Sequence, residues 1–248
     1  MIRKPDHQGT SLTVDGEGGP RTTREPDHRG SRGPARGVGR GVTRSSLRLV
    51  VLGDSIAYGT GALHADDTLG RRLRRALEAD GFDVDLHVLA VPGAVSAGLT
   101  AQVRGAQPLD ADLAVVVIGA NDLARFVPPE EAAAALGAAV GVLRARGTDV
   151  VVVPAPDMSS VPFVPPAFRP LVQAACARLQ ARQAAVVEAA GGSVAGVAAE
   201  VAGDFAADPA MFSADRFHPS SAGYARIAAA LAPVVLAAAR QRRDEAAA

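Results

Sequence analysis

From residue 46 onward the chain alternates between short runs of Val, Leu and Ile and longer stretches whose apolar positions recur every three or four residues. A short apolar run closed by Gly or Pro reads as a strand, and an amphipathic stretch of ten or more residues reads as a helix. The strand candidates are 47–52, ending at Gly53; 84–91, ending at Pro92-Gly93; 113–118, ending at Gly119; 150–153, ending at Pro154; and 193–197, the weakest. Helical stretches fall between and after them at 68–80, 95–104, 129–146, 167–190 and 220–240. Regular alternation of this kind builds βα units. Near-continuous apolar strands imply a parallel sheet covered on both faces, with right-handed crossovers placing helices on each side. The expectation is an α/β fold, a flavodoxin-like three-layer sandwich with a five-stranded parallel sheet in the order 2-1-3-4-5.

The ends of the chain behave differently. Residues 1–45 hold nine Gly, four Pro and nine Lys+Arg against five Asp+Glu, with almost no periodic apolar positions. Such a segment buries too little to order itself, so it reads as a disordered tail, a solvated extension or a start assigned too far upstream. The folded domain is expected over 46–241, with a frayed terminus at 242–248. No apolar run of signal-peptide length occupies the first 20 residues, and the longest apolar run near the C-terminus, 227–239, is short for a bilayer span. A cytoplasmic location without an integral membrane segment is the expectation.

Composition narrows the partners. Formal net charge is zero, so the long-range field that attracts nucleic acid is missing, and aromatics make up only 4% with no Trp, leaving few platforms for bases or sugar rings. The single cysteine, Cys176, excludes an internal disulfide and reads as a buried, inert thiol; no Cys/His cluster has metal-ligand spacing, and no cofactor is expected. Oligomeric state is not legible.

In an open parallel sheet, ligands sit beyond the carboxyl ends of the strands. Four segments occupy such places: Gly53-Asp54-Ser55, Pro92-Gly93-Ala94, Gly119-Ala120-Asn121-Asp122, and Asp215-Arg216-Phe217-His218-Pro219 ahead of the last helix. Each alone is an ordinary turn or helix cap. Together they supply a hydroxyl, a glycine amide, a side-chain amide and an imidazole with a carboxylate three residues before it. Ser55 would sit where a buried strand turns into a helix, His218 could take and return its proton, and Asp215 could orient the ring. Asp54 and Asp122 read as loop supports, and His64 as an exposed loop residue.

These segments, in full "VVLGDSIAYG", "AVPGAVSAG", "VVVIGANDLARF" and "DRFHPSSAGY", resemble in order the four sequence blocks of the SGNH (GDSL-type) serine hydrolases. The resemblance implies Ser55 as nucleophile, His218 as base, Asp215 as its orienting acid, and an oxyanion hole from the Ser55 and Gly93 N–H groups and the Asn121 side chain. It implies a small-molecule ester as substrate. Two positions depart from the common pattern: Val88 and Leu89 stand where an Asn often precedes the second-block Gly, and Pro92 where a small polar residue is frequent. The segment 154–170, "PAPDMSSVPFVPPAFRP", is dense in Pro with Met158, Val161, Phe163, Val164 and Phe168, and reads as a semi-rigid cleft wall. That loop and the scarcity of aromatics favour a short or medium acyl ester, of lysophospholipase-like or acetylesterase-like type. The rival reading is a flavodoxin-like binding module without chemistry.

Overall fold

A computed structural model describes residues 44–248. The strands are β1 (Ser45–Gly53), β2 (Phe82–Val88), β3 (Leu113–Val117), β4 (Asp149–Val153) and β5 (Ser193–Val194). They pair in parallel in the order β2-β1-β3-β4-β5, the arrangement that the alternating pattern predicts. Most of the tail expected over 1–45 lies outside the described residues, and Ser45 is already the first residue of β1.

Among the described residues, eight α-helices surround the sheet: α1 (Ser55–Tyr58), α2 (Leu69–Ala79), α3 (Leu99–Ala106), α4 (Ala120–Ala124), α5 (Pro129–Ala145), α6 (Arg169–Ala189), α7 (Val197–Ala207) and α8 (Ser221–Ala247). Alternate residues of each strand face opposite layers. Leu49, Val51, Val115 and Val153 pack with Leu69, Leu73 and Leu77 of α2, Val201 of α7, and Tyr224 and Leu231 of α8. Val50, Leu52, Val116 and Val152 pack with Leu99 of α3, Leu136 and Val140 of α5, and Val187 of α6. These strand residues are fully or almost fully buried, which is why the strands show no polar alternation.

Local chemistry sets the element ends. Pro129 opens α5 where a missing N–H is harmless, Glu130 and Glu131 occupy its first turn and Arg144 its last, matching the helix dipole. The Ser220 hydroxyl caps α8 by accepting from the Gly223 N–H at 3.2 Å. Gly53 has φ +131°, and a Cβ there would lie 1.8 Å from the Val117 carbonyl oxygen, so only glycine lets β1 leave the sheet beside β3.

Several boundaries differ from the pattern; β2, expected over 84–91, begins at Phe82 and ends at Val88. The span 193–197 forms only two residues of strand, because Val197 already begins α7, a helix the periodicity did not show. Residues 96–98 form a 3-10 turn ahead of α3. The terminus expected to fray at 242–248 continues as helix through Ala247, held by Arg242, which donates to the Gly147 carbonyl at 2.8 Å and to Asp112 and Asp149 at 3.2 and 3.3 Å. By length and composition α8 could cross a bilayer. Its Tyr224, Leu231, Val235 and Ala239 are instead spent on the sheet, as befits a core helix.

Candidate active site

The nucleophile candidate is placed by the turn that ends β1. The Asp54 carboxylate caps α1, its Oδ1 accepting from the Ile56 N–H at 2.9 Å, and Gly59 closes this four-residue helix in a left-handed conformation with φ +101°. Gln102 of α3 steadies the same turn from beneath. Its side chain accepts from the Gly53 N–H at 2.7 Å and donates to the Gly53 carbonyl at 2.8 Å, both inside the core. From α8, the buried Tyr224 hydroxyl donates to the Thr60 carbonyl at 2.8 Å, and burial pushes its phenol far above the ordinary tyrosine range.

Ser55 Oγ lies 2.9 Å from His218 Nε2, and His218 Nδ1 lies 2.6 Å from Asp215 Oδ2. An ionised carboxylate only accepts, so Nδ1 carries the ring proton and Nε2 accepts the Ser55 hydroxyl proton. The fold brings these three residues together: 163 positions separate Ser55 from His218, and their side chains meet. Asp215 is itself fixed by its own loop, its Oδ1 accepting from the Ser213 hydroxyl at 2.8 Å and from the Phe217 and His218 N–H groups at 2.9 Å. Burial opposes the Asp215 charge, but the His218 ring and these other donors outweigh it and hold the carboxyl well below the usual carboxylate range. Arg216, between acid and base, adopts φ +58°, a left-handed conformation uncommon outside glycine, which makes the turn tight enough for Asp215 to reach the ring.

Asn121 stands in the first turn of α4, and its side-chain amide donates to the Ala94 carbonyl at 3.0 Å. One helical turn later, Arg125 donates to the neighbouring Gly93 carbonyl at 2.9 Å. Two side chains at i and i+4 thus hold consecutive carbonyls of the loop that carries Gly93, whose φ is +80°. The loop is also tied from below: buried Asp122 accepts from the Ser96 N–H at 3.0 Å and from its hydroxyl at 3.0 Å. Among the described residues, the N–H groups of Ser55 and Gly93 enter no hydrogen bond, so both are free to meet a ligand.

Asp54 is the one energetically awkward group. It is wholly buried, and its Oδ2 has no hydrogen-bond partner among the described residues. Burial pushes the carboxyl up to about 6, with nearby Asp122 adding to the rise against the Ile56 N–H and His218.

Ser55 and His218 open onto an apolar cleft of about 70 Å³. The 154–170 segment contributes Met158 and Val161 to it, as its composition suggested; Phe163 and Phe168 stay largely exposed, and Phe163 stacks on Phe217 at 5.9 Å. Phe217 in turn meets the His218 ring edge to face at 5.0 Å. The opposite wall comes from α7. Sequence reasoning missed that wall, the Arg125 tie and the Gln102 bridge; the only available signal was a glutamine on an otherwise apolar helix face. His64 is exposed, and Cys176 is buried, with burial raising its thiol. No group of three His, Cys, Asp or Glu side chains able to hold a metal occurs among the described residues.

The Ser55 turn after β1, the Asn121-bearing helix after β3 and the Asp215–His218 loop ahead of α8 define a class. Residues 51–226 match the GDSL-like Lipase/Acylhydrolase family, and the chain belongs to it. It is 38% identical over 186 residues to the GDSL-like esterase Rv1075c of Mycobacterium tuberculosis, an alignment covering 72% of this chain and 58% of that protein's length. Among solved structures, TesA is 24% identical, with a TM-score of 0.65 over 77% of this chain and 99% of its own. LAE5, an alpha/beta hydrolase enzyme from the metagenome of Lake Arreo, Spain, is 21% identical, with a TM-score of 0.65 over 79% of this chain and 98% of its own. These two likenesses are of fold, and they agree with the five-stranded sheet described above.

Proposed function

We propose that this protein hydrolyses carboxylic esters of short or medium acyl chain through an acyl-enzyme on Ser55. The observation that carries the reading is the unbroken hydrogen-bonded line Ser55–His218–Asp215, at 2.9 and 2.6 Å, at the mouth of an apolar cleft. In this mechanism Ser55 Oγ attacks the ester carbonyl as its proton passes to His218 Nε2, and Asp215 stabilises the imidazolium that forms. The carbonyl oxygen becomes an oxyanion facing the Ser55 N–H, the Gly93 N–H and the Asn121 side-chain amide, donors held by loops that need not reorganise. Collapse expels the alcohol, which takes the proton from His218. Water then attacks the acyl-enzyme with His218 again as base, the acid leaves, and Ser55 recovers its proton.

The esterase relative supports the choice of ester over other acyl bonds, and the apolar lining of the cleft supports an aliphatic acyl group. The test is a fluorophosphonate probe together with p-nitrophenyl esters. The native protein should label at Ser55 and turn over, and Ser55→Ala should abolish the label and lower kcat about 10⁴-fold or more. A native protein that binds these esters without label or turnover would be a binding module, and turnover persisting in Ser55→Ala would place the chemistry elsewhere.

A further inference from the structure

Of the three donors assigned to the oxyanion in the proposed mechanism, the Gly93 N–H and the Asn121 amide sit on different elements, so their spacing has to be held by something. Val91, Pro92, Gly93 and Ala94 form a turn closed by the Ala94 N–H, which donates to the Val91 carbonyl at 3.0 Å. Proline in second place and a glycine of φ +80° in third make it type II, and its middle peptide carries the Gly93 N–H. On the β2 side the Val91 N–H donates to the Gly53 carbonyl at 3.0 Å, and on the far side the Ser96 N–H donates to Asp122 at 3.0 Å. Between those anchors two successive carbonyls rest on α4: that of Gly93 accepts from Arg125 at 2.9 Å, and that of Ala94 from Asn121 at 3.0 Å.

Asn121 is poorly suited to hold the turn by itself. Its amide nitrogen carries two hydrogens, and the Ala94 carbonyl takes one, which leaves one for the oxyanion. Any slip of the turn therefore rotates the group that must point at the reacting carbonyl. Arg125, one helical turn further on, takes the neighbouring carbonyl with a planar, permanently charged donor. Among the described residues its guanidinium forms no ion pair, whereas those of Arg144 and Arg242 are engaged with Asp149. The guanidinium also lies over the turn itself: a Cβ at Gly93 would meet Arg125 Nη2 at 3.5 Å.

We infer that Arg125 is a positioning residue for ester hydrolysis: by holding the Gly93 carbonyl it sets the spacing of the Gly93 N–H and the Asn121 amide around the oxyanion. This rests on the ester-hydrolase reading and adds to it a residue that acts through the donors instead of on the substrate. The oxyanion exists only as the reaction proceeds, so displaced donors cost kcat and spare KM. Losing one donor outright costs about 10²- to 10³-fold, and a misplacement of about 1 Å about 10²-fold. A turn left to Asn121 alone should lose about 10- to 100-fold in kcat.

The experiment measures p-nitrophenyl acetate turnover by the full-length native protein, Arg125→Ala and Arg125→Lys, with and without millimolar guanidinium chloride. Arg125→Ala should show the fall in kcat with KM within about twofold of native. The acid limb of its pH profile should not move, because the Asp215–His218 pair is untouched. Added guanidinium should restore part of the lost kcat in Arg125→Ala and leave the native protein unchanged, and Arg125→Lys, which keeps a cationic donor, should fall between the two. A kcat within about threefold of native in Arg125→Ala overturns the inference. So does a loss confined to KM, which would put the guanidinium on the substrate, and so does a loss that neither guanidinium nor Lys relieves, which would make the tie a general support of the fold. Fluorophosphonate labelling of the same samples separates the two ideas: a labelled, active native protein with an unimpaired Arg125→Ala sinks the positioning role alone, whereas a native protein with neither label nor turnover removes the ester-hydrolase reading and this role with it.

Discussion

Replacing Asp54 by Asn isolates what it costs to bury a carboxyl behind the nucleophile. The folded protein holds the Asp54 proton to about pH 6, whereas an unfolded chain releases it near 3.8. Well below pH 3.8 both states carry the proton and Asp54 adds its full contribution. As pH rises towards 6, the unfolded chain ionises freely and the folded one only at a penalty, so stability is progressively lost. The separation is about two pH units, and at ~1.4 kcal/mol per unit the loss is about 3 kcal/mol once both states are ionised. Asn carries no charge, retains an oxygen for the Ile56 N–H, and puts an amide NH₂ where Oδ2 now lacks a partner. That unmet donor costs about 1–3 kcal/mol, equally at every pH. The stability of Asp54→Asn minus that of the native protein should therefore climb by about 2.4 kcal/mol between pH 4 and 8 and level off above about pH 7. Urea unfolding followed by far-UV circular dichroism at unit pH steps measures it, since the chain has no Trp. Subtraction removes Asp80, Asp112 and Asp215, whose lowered values make their own contributions fall as pH drops. A difference that stays constant across this range would refute the claim that Asp54 is buried against its charge.

In the proposed mechanism Asn121→Ala deletes one oxyanion donor and should lower kcat about 10²- to 10³-fold with KM little changed; a fall of less than threefold on p-nitrophenyl acetate would remove Asn121 from that role. Gln102→Leu strands the buried N–H of Gly53, which its side chain now accepts from at 2.7 Å, while the Gly53 carbonyl keeps the Val91 N–H at 3.0 Å. At about 1–3 kcal/mol for the orphaned group, and about 2–4 °C per kcal/mol in a chain of this size, Tm should drop by about 2–12 °C. A thermal melt within 2 °C of the native protein would contradict it.

The strands ending at Gly53, Gly119 and Pro154, the helices over Leu69–Ala79 and Pro129–Ala145, and the order of the sheet all follow from signals written within a dozen residues of one another. A buried strand must be apolar, a turn needs its Gly or Pro, and crossovers have one hand, so local pattern suffices. The same holds for where Ser55, Gly93, Asn121, Asp215 and His218 would lie, since each follows a strand or precedes a helix. What local pattern could not carry is anything settled by contact across the chain. The Ala-rich α7 has little periodicity of its own, and it becomes a cleft wall because Val197 and Val201 find the core. Gln102 and Gln183 look like surface residues in sequence and are buried in the fold, because each satisfies a backbone N–H and a carbonyl from remote loops. Residues 242–247 read as a polar end, and stay helical because Arg242 finds Asp112 and Asp149 at the foot of the sheet. Chain-local geometry determined the scaffold and the addresses of the reactive groups, while the 2.9 Å between Ser55 and His218, the burial of Asp54 and the size of the cleft exist only once distant segments share the same space.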